Sequence, residues 1–417
     1  MNKVRLGDVA NVHVSGVDKK IVPGEVPIRL CNYTDVYYNW TIRNEMRKDF
    51  MSASARPEEI KKYQLHAGQV AITKDSETRD DIGHPTYIAD DFEDVILGYH
   101  CALISPFAGK LDGQFLNALL RTRYVSEYFS RNAGGSGQRY YLSDFSIKNT
   151  PLFLPSFEDQ LLIAGILGSL DEKIEINRRK IAEIEALVKT IFDYWFVQFD
   201  FPDASGRPYR SSGGAMEWKN ELKREIPKGW GVGNLYDIAS FENGLACQKH
   251  RPRKGEQALP VIKIREMHEG ISADTEFVSV NIPEKNRIED GDLLFSWSAS
   301  LETMIWCGGK AGLNQHIFKV IPKAKYPMEY VYQQLSQYII NFVKMAEARK
   351  TTMGHITTDH LRQSHIILPD EVILSHFSDV TASIASQRIV LQQEIRGLIK
   401  LRDMLLPLLM NGQVELK

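Results

Sequence analysis

The sequence has no pair of cysteines at C-x-x-C spacing. Cys31, Cys101, Cys247 and Cys307 stand far apart, which suggests neither a disulfide framework nor a zinc site. Long apolar runs are missing too. The longest, Met404–Met410, contains Pro407 and is far too short to span a bilayer. Met1–Ala10 carries charge and no apolar stretch, so no signal peptide is expected there. A reduced, cytoplasmic protein is the expectation, and in that compartment the glycosylation-type triplet Asn39-Trp40-Thr41 has no meaning. Charge of one sign is also lacking: 51 Lys+Arg stand against 53 Asp+Glu, for a net −2. Such a balance argues neither for nor against nucleic acid, because a DNA reader needs a local basic surface rather than a basic total. Several catalytic signatures are absent. There is no Asn/Asp-Pro-Pro-Tyr/Phe to hold a flipped base beside a methyl donor, no H-E-x-x-H and no G-x-S-x-G.

What is present begins with a chain of 417 residues, 43% hydrophobic and 25% charged. That is the composition of a soluble globular protein with about two or three domains. The stretch from Phe157 to Phe199 organises it. Leu170, Ile174, Ile181, Ile184, Val188, Ile191 and Trp195 follow three- and four-residue steps if Asn177 is counted as a polar interruption. Heptad spacing marks a helix that buries one narrow seam against another helix. Ser156 is an expected N-cap with Asp159 in the first turn, and Pro202 and Gly206 lie just beyond the far end. About forty helical residues would reach ~60 Å, too long for one ordinary domain, so the helix needs a partner.

A second stretch matches the first without a gap. Leu154-Pro155 pairs with Leu368-Pro369, Leu170 with Ile384, Ile181 with Ile395, Ile184 with Leu398, Leu187 with Leu401 and Ile191 with Leu405. Its seam is less clean, since Arg388 and Arg402 occupy seam positions. Two unrelated amphipathic helices are the bland alternative; the gap-free register and shared Leu-Pro opening favour a repeat.

The repeat extends into the flanking sequence. Leu6–Ala10 parallels Leu235–Ala239, Pro27–Arg29 parallels Pro260–Ile262, Leu65–Thr73 parallels Ile288–Ser296, and His100–Pro106 parallels His316–Pro322. Short apolar runs after a Gly turn read as buried strands, and Gly113–Phe129 and Met328–Val343 read as helices. The expected fold is therefore mixed α/β (α+β): two similar domains, each followed by a long helix, with the two helices paired in an intramolecular coiled coil and the whole forming a pseudo-twofold internal repeat. The expected segments are a first domain over 1–156, a first spacer helix over 157–199, a linker over 200–230, a second domain over 231–370 and a second spacer helix over 371–413.

Strands match between the copies while loops differ, which suggests one scaffold carrying two related binding tasks. The first loop pair holds Lys19 and Lys20 in one copy and Lys249, His250, Arg251, Arg253 and Lys254 in the other, the latter suited to phosphate contact. The second pair holds Lys74, Ser76, Thr78 and Arg79, against Ser296, Trp297 and Ser298; short polar side chains with a Lys or Arg suit base-edge contact. The third holds Ser136, Gln138 and Arg139 in a Gly-rich loop, against Arg349, Lys350, Thr351 and His355. The Gly-rich form lacks the Lys-Ser/Thr spacing of an ATP loop. For each pair an ordinary solvated loop is the competing reading. A nuclease is a rival class: Pro202-Asp203 followed by Glu217-Trp218-Lys219 has the right residue types, but a Gly/Ser/Pro linker between them is a poor clamp for Mg²⁺. His100 and His316, at matching strand starts, read as structural.

Three phrases in order then carry a resemblance. Asp171-Glu172-Lys173-Ile174 runs on to Phe192-Asp193-Tyr194-Trp195-Phe196. Next come Gly206-Arg207-Pro208-Tyr209 with Ser211–Gly214 and Ile226–Trp230. Leu408–Gln413 is the third. Over its full length the sequence resembles the specificity (S) subunits of type I restriction–modification systems. The resemblance implies a non-catalytic DNA-reading subunit for double-stranded DNA. It implies partnership with two methyltransferase subunits and two restriction/translocase subunits. S-adenosylmethionine, ATP and Mg would be used by those partners, with no cofactor bound by this chain. Phe192, Trp195, Phe196, Leu405 and Leu409 are then expected to dock a partner helix, with burial at the helix–linker junction as the alternative for the first three. The resemblance also implies that the two long helices pair antiparallel and separate the two domains; so paired they would act as a ruler, giving two unrelated half-sites with roughly six to eight unread base pairs between them. A coiled-coil interaction scaffold with two protein-binding lobes is the alternative function; a neighbouring gene carrying the Asn-Pro-Pro-Tyr motif would decide against it.

Overall fold

A computed structural model describes residues 2–272, 274–298, 300–348 and 358–414, without the side chains of 344–348 and 358. The chain forms two compact units, one of Met1–Glu175 with Leu398–Lys417, the other of Ile176–Gly397. Both long helices contribute to both units: Phe157–Phe192, continued by a π-helical turn over Asp193–Val197, and Glu371–Met410.

In the first unit a five-stranded sheet runs in the order Ala10–Val14, Cys101–Pro106, Val70–Thr73, Pro85–Ile88 and Thr41–Ile42. A three-stranded sheet of Met51–Ala55, Val26–Cys31 and Val95–Leu97 contains a parallel pair, Val26–Cys31 with Val95–Leu97. The chain closes on itself where Asn2–Arg5 pairs with Pro151–Leu154, just ahead of the first long helix. In the second unit a four-stranded sheet repeats the first four positions with Ala239–Asn243, Ile317–Pro322, Leu293–Ser296 and Glu302–Ile305. Ala258–Ile262 again runs parallel to Ala311–Leu313, and Gly231–Gly233 closes on Ile366–Leu368.

The repeated phrases have physical reasons. Leu6 and Leu235 are fully buried, while Asp8 and Asp237 cap the short helices they start by accepting from the backbone N–H of Arg5 and Asn234. Gly68 and Gly291, ahead of the equivalent strands, have φ of +88° and +100°, a conformation that costs glycine least. Gly113–Phe129, expected as one helix, is two, Gly113–Leu120 and Arg123–Asn132. Thr122 is extended between them, so it restarts the chain as an N-cap.

Along the first long helix and its π-helical continuation the buried positions include Ile163, Leu167, Asp171, Ile174, Asn177, Ile181, Val188, Phe192 and Trp195, which follow heptad spacing. Asn177 belongs to that seam. It is fully buried, and its Nδ2 donates to Glu394 Oε2 at 2.9 Å. Within the second unit Asn177 meets Glu394 while Phe192 and Trp195 pack on Phe377, so the two helices run antiparallel there. The seam arginines of the second helix turn to the globular cores. Arg388 pairs with Glu329 at 2.7 Å in the second unit, and Arg402 lies 3.9 Å over the ring of Trp40 in the first. Arg121 approaches that ring at 4.3 Å. Burial and the nearby Arg402 charge hold the Arg121 guanidinium down at about 9.

The segment expected as a linker is folded onto the second unit. Met216–Lys219 and Arg224–Pro227 form a hairpin, and Phe199, Phe201, Ile226 and Trp230 are buried in the core. Phe201 stacks on Tyr209 and on Trp230, with ring centroids 4.7 and 5.1 Å apart. Its turn residues are spacers between aromatic anchors, a pattern in which polar Gly/Ser/Pro composition hides a folded insertion.

Candidate nucleic-acid interface

In the first unit two of the expected loops become one surface. Asp75–Ser76, Arg139–Tyr141 and Gly134–Ser136 pair as a small antiparallel sheet, with Ser76 opposite Tyr140 and Ser136 opposite Arg139. Lys74, Ser76, Thr78, Arg79, Ser136, Gln138 and Arg139 are thereby grouped, all exposed except Lys74 and Ser76, which are partly covered. The Arg79 guanidinium lies 5.3 Å over the Tyr140 ring, which orients it at modest entropic cost. Lys19 and Lys20 are exposed, and Lys20 pairs with Asp18 at 3.1 Å.

Beside this sheet is a cluster that sequence reasoning missed. Tyr33 and Tyr37 stack on the helix Tyr33–Tyr38 with centroids 5.6 Å apart, Tyr38 is 62% exposed, and Tyr99 is 39% exposed. The Tyr37 hydroxyl donates to Asp81 at 3.0 Å, and His84 Nε2 lies 2.7 Å from the same carboxylate. Burial and then the Asp81 charge push the Tyr37 hydroxyl up, and burial with Asp81 raises Tyr33 to about 12, so both phenols stay protonated. The signal available in sequence was the i, i+4 spacing of Tyr33 and Tyr37, with Tyr38 beside them.

In the second unit the basic loop lies at the surface. Lys249, His250, Arg251, Arg253 and Lys254 are all open to solvent, and Glu256 holds the loop by accepting from the Arg253 backbone N–H at 2.8 Å. The other loop requires a correction. Ser296 and Ser298 are buried, Ser296 Oγ donating to the Ser298 carbonyl at 3.2 Å, so neither can reach a base edge. Trp297 is partly packed on the core and its Nε1 donates to Asn243 Oδ1 at 3.3 Å. Arg349, Lys350, Thr351 and His355 lie outside the described residues.

The docking residues also require correction. Phe192, Trp195 and Phe196 are buried in the second unit's core beside Tyr330 and Phe377; Leu409 is buried in the first unit's core and Leu405 packs against it. The burial alternative holds because large aromatic faces at a helix end contribute most when the folded linker covers them. What the helices leave exposed is a different set: Leu161, Leu162, Ile166 and Leu187 on the first, Val372, Val380, Val390, Leu401 and Met404 on the second.

The nuclease-like carboxylates are occupied locally. Asp203 accepts from the backbone N–H groups of Ser205 and Arg207, and Glu217 pairs with Lys219 at 3.0 Å and accepts from the Gly229 N–H. Among the described residues no group of three or more His, Cys, Asp or Glu is arranged to hold a metal ion.

The family described as type I restriction modification DNA specificity domain matches residues 1–186 and 227–396. The chain is 24% identical over 392 residues to the type I restriction enzyme HindI specificity subunit of Haemophilus influenzae, over 81% of this chain and 85% of that protein. It is 23% identical over 410 residues to the MjaIX specificity subunit of Methanocaldococcus jannaschii, over 95% and 87%. Its fold is similar to the crystal structure of a type I restriction–modification system S subunit from M. genitalium, with a TM-score of 0.51 and 12% identity over 98% of this chain and 95% of that one.

Proposed function

This chain belongs to the type I restriction modification DNA specificity family, and from that premise we propose that it is the non-catalytic subunit that reads a bipartite, asymmetric DNA target and scaffolds methyltransferase and restriction subunits. The observation that carries this reading is the internal repeat. One topology occurs twice, and among the described residues loops that differ between the copies expose Thr78, Arg79, Gln138 and Arg139 in one unit and Lys249, Arg251, Arg253 and Lys254 in the other. Two lobes of one design with unlike loops suit two unlike half-sites with unread base pairs between them. Catalysis, with S-adenosylmethionine, ATP and Mg, falls to the partners: two methyltransferase and two restriction/translocase subunits. The exposed apolar residues of the two long helices are the surface offered to them. Among the described residues no helix is long and apolar enough to cross a membrane, and the proposed place of work is the cytoplasm, where the host DNA lies.

Methylation mapping of host DNA with and without this gene tests the reading. The expected result is a modified motif of two unrelated half-sites that disappears with the gene; an unchanged methylome, or a single contiguous motif, would overturn it.

The basic loop gives a second test. Arg251→Ala with Arg253→Ala should weaken binding to all duplexes alike. The salt slope should fall by about one for each phosphate that is no longer neutralised. Titrations of specific and random duplexes over a range of salt measure both. A changed sequence preference with an unchanged slope would assign the loop to bases instead.

A further inference from the structure

Each unit opens one strand with a histidine, His100 ahead of Cys101–Pro106 and His316 ahead of Ile317–Pro322. In both, that histidine's carbonyl accepts from the first residue after the neighbouring strand. The Lys74 N–H reaches the His100 carbonyl at 2.9 Å, and the Trp297 N–H reaches the His316 carbonyl at 3.3 Å. The repeat therefore makes Lys74 equivalent to Trp297 and His100 to His316, at the same end of the same sheet, although the loops around them share almost no residues.

What stands at these positions differs in chemistry and is similar in being held. In the first unit Asp75 Oδ2 accepts from Lys74 Nζ at 2.9 Å and lies 2.7 Å from His100 Nδ1. The His100 ring lies 3.5 Å from that of Tyr99 and meets Tyr33 edge-on at 6.5 Å. These side chains stay partly open to solvent, Lys74 at 16%, Asp75 at 26% and His100 at 34%. In the second unit the Trp297 ring is 5.5 Å from that of His316. His316 Nε2 is 3.4 Å from Gln315 Nε2, and its buried Nδ1 has no hydrogen-bond partner among the described residues. The buried Ser296 Oγ donates to the Ser298 carbonyl across Trp297. A side chain discriminates between base edges only if its neighbours fix its direction, since a floppy donor finds some acceptor on any base.

We propose that these equivalent positions are where each lobe reads sequence. The first lobe does so through Lys74, Asp75 and His100, the second through Trp297 and His316. This rests on the reading of the chain as a DNA-recognition subunit. The first set offers a donor, an acceptor and an imidazole, matched to the hydrogen-bonding edges of the major groove. The second offers an indole face, matched to an apolar feature such as the thymine methyl group.

The test is selection from a randomised double-stranded DNA library by the full-length chain assembled with its methyltransferase partner, with a thermal melt of every variant. Lys74→Ala and His100→Ala should lower discrimination about tenfold at one or two positions of one half-site and leave the other intact. Trp297→Ala should do the converse. Because Trp297 also packs on the core, Trp297→Phe is the paired variant; it keeps the packing and should keep part of the preference. If the wild-type chain selects two half-sites and the folded variants select the same two undiminished, or lose both equally, the assignment is wrong. If the wild-type chain selects no half-site, the DNA-reading function itself falls.

Discussion

Ending the chain before Val372 is expected to leave neither unit with a complete core. The second long helix supplies Leu374 and Phe377 to the second unit, both fully buried, and Leu409 and Met410 to the first. Each large apolar side chain of this kind contributes about 1.5–3 kcal/mol by burial, against a total stability of about 5–15 kcal/mol for a typical domain. The deletion also exposes the seam partners Ile174, Ile181 and Val188, and strands Glu329 and Asn177 without Arg388 and Glu394. We expect an insoluble or molten product with no cooperative thermal transition, and hence no stable methyltransferase complex. A truncated chain that melted cooperatively and co-purified with two methyltransferase subunits would contradict this. Two truncated chains associating could imitate that result, so the measurement must include stoichiometry.

Glu329→Gln should destabilise the second unit by about 3–5 kcal/mol, the cost of leaving a buried charge unpaired. The Arg388 and Glu329 side chains are 2% and 6% exposed, and both guanidinium Nη atoms face the carboxylate, at 2.7 and 3.4 Å. The guanidinium also lies 5.4 Å from the Tyr332 ring. Removing the carboxylate leaves Arg388 too enclosed to recover its hydration. By contrast, Arg388→Met combined with Glu329→Leu removes both charges and should be near neutral or stabilising, because desolvation of the pair offsets most of its attraction. Urea unfolding of the wild type, Arg388→Met, Glu329→Leu and their double variant, with Glu329→Gln alongside, separates the terms. A loss below about 1 kcal/mol for Glu329→Gln would mean that water reaches the pair.

What the sequence makes legible differs element by element. The long helices, the repeated phrases and the equivalent strands were legible because each is a local pattern. Heptad spacing, a capping Asp three residues after an N-cap, and a glycine before an apolar run state their own conformations. Asn177 was legible as a polar residue at a seam position and not as a role, because its partner Glu394 lies far along the chain. The linker misled for the opposite reason. Its Gly, Ser and Pro residues describe the turns, while Phe199, Phe201 and Trp230 decide that the turns fold inward.

By itself, then, the sequence determined two copies of a mixed α/β unit, two long helices and their shared register, because periodicity records which face of an element is buried. Tertiary structure decided which side chains are left to act. Ser296 and Ser298 are polar and sit in a divergent loop, yet the strand end buries them; Phe192, Trp195 and Phe196 are aromatic at a helix end, yet the folded insertion covers them. The small sheet that joins residues 75–76 to 134–141 draws separate loops into one surface, and the tyrosines beside it come from a third segment. Exposure is a property of what folds over a residue from elsewhere in the chain, and no local pattern carries that information.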